Sequence, residues 1–410
     1  MKRGIILLLA GALALLACLS ACTPRPVPAV PTEEPRVTEI PEAEYTVSHI
    51  VRYWPEDADY DSCDYACVAQ VPEFSKSHYA GSAMNAAVDE YLEELSERIE
   101  REYMPSAVAE PPYTEVTFDY KYVGGIANII FRETHSYEAQ PYTETRVIML
   151  NGRGERVNLR DVFMNYHAEE RIAEAIAARI AGDPRYYEAD PLKILSVLDI
   201  TERACAAETG ASVFIPEGVL APYEEGELEI PVTFEEVLPE LVGAEGIMTL
   251  EELSGAVRLM RFAANSVVVR VESIIEGAAS PYTATAFMGQ AVTELRLIPK
   301  AGRIEIPKAD FEALYSACIA GDFPGIDTDA HDIRLEEGVY SVSAAQPKYV
   351  YNIDILEAAR TGDTLLINGD LVYGAFGFAA TEFVRHARLE LVKNAESPFG
   401  WTIKGFVPSL

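Results

Sequence analysis

Apolar and polar residues alternate in a way that sets the first elements of the chain. Tyr45, Val47, His49, Val51 and Tyr53 alternate with Thr46, Ser48 and Arg52, the period of two expected of a strand. Tyr65 to Phe74 reads as a second strand, joined to the first by the acidic loop Pro55 to Asp64. Met84, Ala87, Val88, Tyr91, Leu92, Leu95 and Ile99 then recur at steps of three and four, which predicts an amphipathic helix. Val116, Phe118, Tyr120 and Tyr122 alternate with Thr117, Asp119 and Lys121. Gly124-Gly125 permits a tight turn, and Ile126 to Arg132 returns as the partner strand. Thr143 to Leu150 is another strand, followed by a turn at Asn151-Gly152 and by Arg156 to Leu159. Ile172, Ile176 and Ile180 mark a second helix over Ala168 to Ala181. Val213 to Ile215 and Glu227 to Val232 read as short strands, and Phe234 to Leu241 as a short helix. From Gly246 onward the pattern suggests a separate unit. It has strands near Ser266 to Ile274 and Val292 to Ile298, a helix over Ala309 to Ala320, and a closing hairpin. In that hairpin Ala387, Leu389 and Leu391 face one way, and Trp401 and Ile403 return.

The predicted class is therefore α+β: antiparallel sheets with packed helices in a two-part module over residues 45–245, followed by a separate α+β domain over 246–410. At 410 residues the chain is too long for one hydrophobic core.

The first 44 residues follow a different logic. Met1-Lys2-Arg3 is basic, and Gly4 to Ala17 is a run of small and apolar residues. Leu19-Ser20-Ala21-Cys22 then has the form of a lipobox, an aliphatic residue and two small ones before a cysteine. Residues 1–21 are read as a lipoprotein signal peptide, with Cys22 lipidated at the mature N-terminus. The alternative is an uncleaved membrane anchor, for which Gly4 to Cys22 is only about long enough. Residues 22–44 hold the lipidated cysteine and a proline-rich tether. The expected location is the extracytoplasmic face of a bacterial cell membrane.

Charge narrows the partners. The chain has 65 acidic and 33 basic residues, a formal net charge of −32, which disfavours nucleic acid and favours cationic partners or divalent metal. Cys63 and Cys67 are close enough in sequence to form a local disulfide, which an extracytoplasmic compartment permits. Asp57, Asp59 and Asp61 resemble the opening of a calcium loop, as do Asp327, Asp329 and Asp332. Both lack the glycine and the distal glutamate that complete an EF-hand, so calcium is at most a weak ligand and no other cofactor is expected. Neither a Gly-x-Ser-x-Gly elbow nor a His-Glu-x-x-His pair is present. His49, on the apolar register of its strand, reads as a core residue.

Three segments carry a resemblance to a known family. "VPEFSKSHYAGSAMNAAVDEYLEEL", "NGRGERVNLRDVF" and "VFIPEGVLAPYEEGELEIPVTFEEV" lie in order between Val71 and Leu241. They resemble, in turn, the opening strand and helix, the turn and "L-x-D-x-F" element, and the closing strands of one extracellular module. That module is shared by the lysozyme-sensing anti-sigma factor RsiV and the peptidoglycan deacetylase PdaC. The family often has Gly-Gly-Ala-His before the "L-x-D-x-F" element; this chain has "THSYEAQPYTET" and keeps only His135. The deacetylase's metal-binding Asp and His motifs are not found in Gly246 to Leu410. Only three residues precede the hydrophobic run, so no sigma-binding segment is expected. The resemblance implies the fold of the module and an extracytoplasmic binding role, without signalling or deacetylation. The sequence thus reads as a membrane-anchored lipoprotein that binds a lysozyme-like cationic protein or a cell-envelope ligand such as peptidoglycan. An enzyme acting on envelope glycan, or a scaffold subunit of a membrane complex, is the alternative.

Overall fold

The computed structural model describes residues 42–409 except 60, 108–111, 137–140, 164, 166, 188–189, 240–247, 268–271, 276, 296, 345–348 and 376–381. The signal peptide, Cys22 and most of the tether lie outside the described residues.

Strands β1 (Tyr45–Trp54), β2 (Tyr65–Phe74), β3 (Tyr113–Val123), β4 (Ile126–Ser136) and β5 (Tyr142–Asn151) form one sheet in chain order. Helix α1 (Gly81–Arg98) crosses from β2 to β3, and these two strands run parallel. The other strand pairings in this sheet are antiparallel. The parallel pair follows from the crossover: a helix between two strands carries the chain back to its starting end. Close contact fixes the start of α1. A Cβ on Gly81 would lie 2.1 Å from the Ser75 carbonyl oxygen, so only glycine fits. The Asn85 side-chain amide satisfies both the N–H and the C=O of Phe74, at 2.8 and 2.9 Å. The predicted apolar face of α1 is buried on β2, β4 and β5, with Met84, Val88, Leu92 and Leu95 against Val71, Ile129, Phe131 and Ile148. A single π turn, Ile99–Tyr103, extends the helix and ends near Pro105.

The chain then builds α2 (Leu159–Phe163), α3 (Ala168–Ile180) and α4 (Pro191–Val197). A three-stranded antiparallel sheet follows, β6 (Ala204–Ala207), β7 (Gly210–Ile215) and β8 (Leu228–Thr233), then the short α5 (Phe234–Val237). Arg156 makes one bridge to Leu150 before α2 begins, in place of a full strand.

Two helices appear where the sequence pattern suggests strands or nothing. Helix α6 (Leu250–Val267) takes in Ser266 and Val267, and α7 (Pro281–Glu294) takes in Val292 to Glu294. Both are buried on most of their circumference, so the polar stripe that reveals an amphipathic helix is missing. Their caps are nevertheless encoded. Thr249 and Glu252 bond reciprocally to each other's backbone N–H, and Ser280 caps the Thr283 N–H ahead of Pro281.

Strand β9 (Arg303–Pro307) leads into α8 (Lys308–Cys318) and pairs with the hairpin β10 (Ile333–Glu336) and β11 (Val339–Ser343). Four long strands close the chain as an antiparallel meander: β12 (Tyr349–Thr361), β13 (Thr364–Ala375), β14 (Glu382–Lys393) and β15 (Trp401–Pro408). This meander wraps α6. The Trp401 indole donates to the Glu252 carbonyl at 2.9 Å, and the Asn265 amide bonds both the C=O and the N–H of Tyr351.

The buried apolar side chains form two clusters. One lies between α1 and the first sheet. The other runs continuously from Ile126 to Phe406, across the position that divides module from C-terminal domain in the sequence reading. The far side of β4 and β5 belongs to this second cluster through Ile130, Val147 and Met149, so the first sheet is covered on both faces only at that end. At the other end β1 is an edge strand with an uncovered face, and His49 is exposed there instead of buried.

Candidate functional site

Glu133 and His135 alternate on the covered face of β4, two and four residues beyond Phe131. Glu144 on β5 is the direct cross-strand partner of Glu133, and Thr114 on β3 is the partner of His135. All four are buried. Two carboxylates directly opposite each other on one sheet face repel, and cations from α1, from the turn before β6 and from β4 and β5 themselves hold them. Arg98 of α1 donates to both oxygens of Glu133, at 2.7 and 2.9 Å, and its guanidinium lies 3.7 Å from Glu144. Arg203 bonds the other Glu144 oxygen and the Thr145 carbonyl. Arg146 reaches to 3.7 Å from Glu144 and also pairs with Glu202. His135 Nε2 sits 3.2 Å from Glu133 and 3.4 Å from Glu144. Tyr91 and Tyr103 each donate a hydroxyl to one glutamate at 3.0 Å, and the His135 Nδ1 contacts Thr114, which bonds Tyr65.

The electrostatics follow from this arrangement. Burial alone would push both carboxyls toward the neutral form. The bonds to His135 and the arginines outweigh it and hold both below their ordinary range. Burial would likewise favour neutral His135, but its hydrogen bonds to Glu133 and Glu144 outweigh it and raise its pKa. These three side chains bring a nitrogen and two carboxylate oxygens within 4.8 Å, the spacing of a metal site. The donors do not fit one. A metal needs neutral imidazole and unneutralised carboxylates, whereas His135 favours its proton and both glutamates already face guanidinium groups. The cluster is an ion network that fastens α1 to the sheet.

Above this network the surface is acidic. Asp89, Glu90, Glu93, Glu94 and Glu97 are exposed along the outer face of α1, with Glu100 just beyond. The β1–β2 connection adds exposed Glu56, Asp57, Asp59, Asp61 and Asp64. It begins beside the same helix end, because the Trp54 indole donates to Glu100 at 2.7 Å and Arg52 donates to the Leu92 carbonyl at 3.2 Å. A cleft of about 360 Å³ opens between α1 and β5, lined by Tyr91, Glu94, Glu97, Arg98, Arg146 and Arg156. A separate cavity of about 600 Å³ lies on the C-terminal sheet, where His386, Arg388, Val407 and Ser409 line it and Asp370 holds His386 Nδ1.

The residues singled out from sequence fall as follows. Asp57, Asp59 and Asp61 lie in the β1–β2 connection, where Asp59 accepts from the Ser62 hydroxyl at 2.7 Å. Asp327 folds back on the Asp329 N–H at 3.0 Å, and Asp332 pairs with Arg303 at 2.6 Å and Arg334 at 3.3 Å. Neither set gathers three ligand atoms within 4.8 Å among the described residues. Cys67 is a buried thiol with no bridge to Cys63, and burial pushes its pKa up to about 12. Of the network, only His135 stands out in the sequence; Glu133 lies just past the strand expected over Ile126 to Arg132, and the register it shares with Ile129, Phe131 and His135 is the signal that could have found it. No helix among the described residues is long and apolar enough to cross a membrane.

No known family's profile matches the chain, and no curated protein matches it in sequence. Solved structures similar to it include DUF3298 family proteins. One, from Pseudomonas aeruginosa PAO1, is 12% identical with a TM-score of 0.31, over 49% of this chain and 93% of that one. Another, from Bacteroides fragilis NCTC 9343, is 14% identical with a TM-score of 0.32, over 48% of this chain and 93% of that one.

Proposed function

We propose that this protein is a lipid-anchored, extracytoplasmic binding module that captures a cationic protein of the lysozyme kind. The observation that carries the reading is the acidic face formed by α1 and the β1–β2 connection. Carboxylates on one rigid helix give a negative potential that steers a basic partner and fixes its orientation. The sequence resemblance to the RsiV/PdaC module supports the same role. Anchoring rests on the lipobox ending at Cys22.

The test is binding of the full chain to lysozyme, with an unrelated protein of similar positive charge as control. It is run at low salt and at about 0.3 M, where the Debye length falls to roughly 5–6 Å. Lysozyme binding that survives salt, and that Glu93→Lys with Glu97→Lys weakens at least about tenfold, is the expected result. Equal binding of both proteins that vanishes with salt overturns the reading.

A further inference from the structure

Strand β1 is the free edge of the first sheet. It pairs with β2 over ten consecutive residues without a register shift, and no other strand covers its outer side among the described residues. The phase of the ladder is fixed. The Ser75 N–H donates to the Glu44 carbonyl at 3.0 Å, so Glu44, Thr46, Ser48, Ile50 and Arg52 turn their peptide groups toward β2. Tyr45, Val47, His49, Val51 and Tyr53 therefore turn theirs outward.

Edge strands are usually protected by a bulge, a proline or an outward lysine. The sequence YTVSHIVRYW has none of these. Its one charged side chain, Arg52, is turned inward to Leu92 and Ser96 of α1. The edge is apolar as well. Val47 and Val51 are each 50% exposed, and Val68, the cross-strand partner of Val51, is 40% exposed. Both ends of this open strand are acidic. Exposed Glu44 and Glu73 lie at one end, and Glu56, Asp57, Asp59 and Asp61 at the other.

We propose that the free edge of β1 docks an extended, basic segment of the partner protein as an added strand. Main-chain hydrogen bonds to the outward-facing residues supply affinity, and the flanking carboxylates select a basic occupant. A second copy of this chain would bring the same carboxylates against each other, so self-pairing is disfavoured. The basic nature of the occupant follows from the reading of function above, while strand addition rests on the edge itself.

The test uses a peptide of about ten residues that alternates Lys with Thr and Val, and its counterpart with Glu for Lys. Their binding to the full chain is measured by fluorescence anisotropy. His49→Pro removes only an outward N–H and leaves the β1–β2 ladder intact. It is expected to keep the unfolding midpoint and to weaken the basic peptide at least about tenfold. Ser48→Pro, whose N–H faces β2, is expected to lower the midpoint and so verifies the phase. With the wild-type chain, amide exchange at Val47, His49 and Val51 should be fast when free and slowed at least about tenfold with peptide. Strand addition is overturned by peptide binding that His49→Pro leaves unchanged, by failure of both peptides to bind, or by slow exchange in the free chain. A dimer in sedimentation that His49→Pro abolishes overturns the basic occupant in favour of a second copy. If lysozyme fails to bind while the basic peptide binds through His49, the functional reading fails and the edge assignment stands.

Discussion

Replacing Arg98 with Met tests whether the ion network holds α1 to the sheet. The Arg98 side chain is 14% exposed and that of Glu133 is fully buried, so solvent screening of the pair is slight. The substitution removes two hydrogen bonds from the Glu133 carboxylate and leaves it the Tyr91 hydroxyl and His135. Breaking one side of a buried ion pair costs about 3–5 kcal/mol. With two partners remaining, the lower end, about 3 kcal/mol, is expected. Methionine keeps most of the packing of the arginine stem, so the apolar contribution largely cancels. Urea unfolding near pH 7, followed by tryptophan emission, should show a lower midpoint at an unchanged m-value. Adding Glu133→Gln to Arg98→Met removes the stranded charge and should recover about half of the loss.

The pH dependence has a definite sign. Glu133 and Glu144 are held below the ordinary 4.5, so their stabilisation is present above that value and is lost as pH falls through the depressed pKa values. His135 is raised above 6.5, so its contribution is complete below 6.5 and is lost as pH rises through the raised value. The whole network therefore acts between pH 4.5 and 6.5. In Arg98→Met, Glu133 loses one of the two partners that hold its pKa down, so its carboxyl takes a proton at a higher pH than in the wild type. The deficit against the wild type should narrow as the medium is acidified. A loss below about 1 kcal/mol near pH 7, or a deficit that does not narrow, refutes the reasoning.

Gly255→Ala places a Cβ 1.9 Å from the Phe399 carbonyl oxygen, where α6 meets the β14–β15 turn. The same urea assay should show a loss of about 1–3 kcal/mol, and an unchanged midpoint would deny that close approach. Cys67 and Cys318 are buried, with pKa values pushed up by desolvation to about 12. A thiol reagent near pH 8 should leave both unmodified in the native chain and modify both after unfolding, as read by mass spectrometry. Cys22→Ser should release the protein from the membrane fraction and remove the lipid mass; retention of both would place the anchor elsewhere.

Much of the first sheet was legible because its elements are half-covered. Tyr45 to Tyr53 and Val116 to Tyr122 alternate, and Met84 to Ile99 shows a clean helical stripe, because one side of each meets water or a polar partner; Tyr65 to Phe74 is instead apolar almost throughout, as suits an interior strand. Helices α6 and α7 were not legible by period, since Ala263, Ala264, Ala284 and Phe287 are buried on several faces at once. The parallel pairing of β2 with β3 was missed for a different reason. Strand direction is set by which end of the sheet α1 returns to, and no local pattern states that. Within the network, His135 and Glu133 sit in one readable register. Arg98 and Arg203 come from elements 35 and 59 residues from the glutamates they bind, so only the fold reveals the pairing. The exposure of His49 was missed because alternation shows which residues share a face, not whether anything covers that face.

Helix α1 joins the acidic surface to the buried ion network. Its outer face carries Asp89, Glu90, Glu93, Glu94 and Glu97, and its one basic residue, Arg98, points inward. So many carboxylates beside the acidic β1–β2 connection repel one another and oppose packing. The buried network answers this from below, where Arg98, Arg146 and Arg203 outnumber Glu133 and Glu144. The outer carboxylates are exposed and screened by salt, whereas the buried cations are screened much less. The face can thus stay negative toward solvent while the helix remains fixed. Stability and affinity should accordingly separate by position. Glu93→Lys with Glu97→Lys should change binding and move the unfolding midpoint little, because surface charges contribute little to folding. Arg98→Met should do the reverse, and the two effects on stability should add, since the outer carboxylates share no bonded partner with Arg98. Strong non-additivity would mean that the acidic face and the network are one coupled unit instead of a surface and its support.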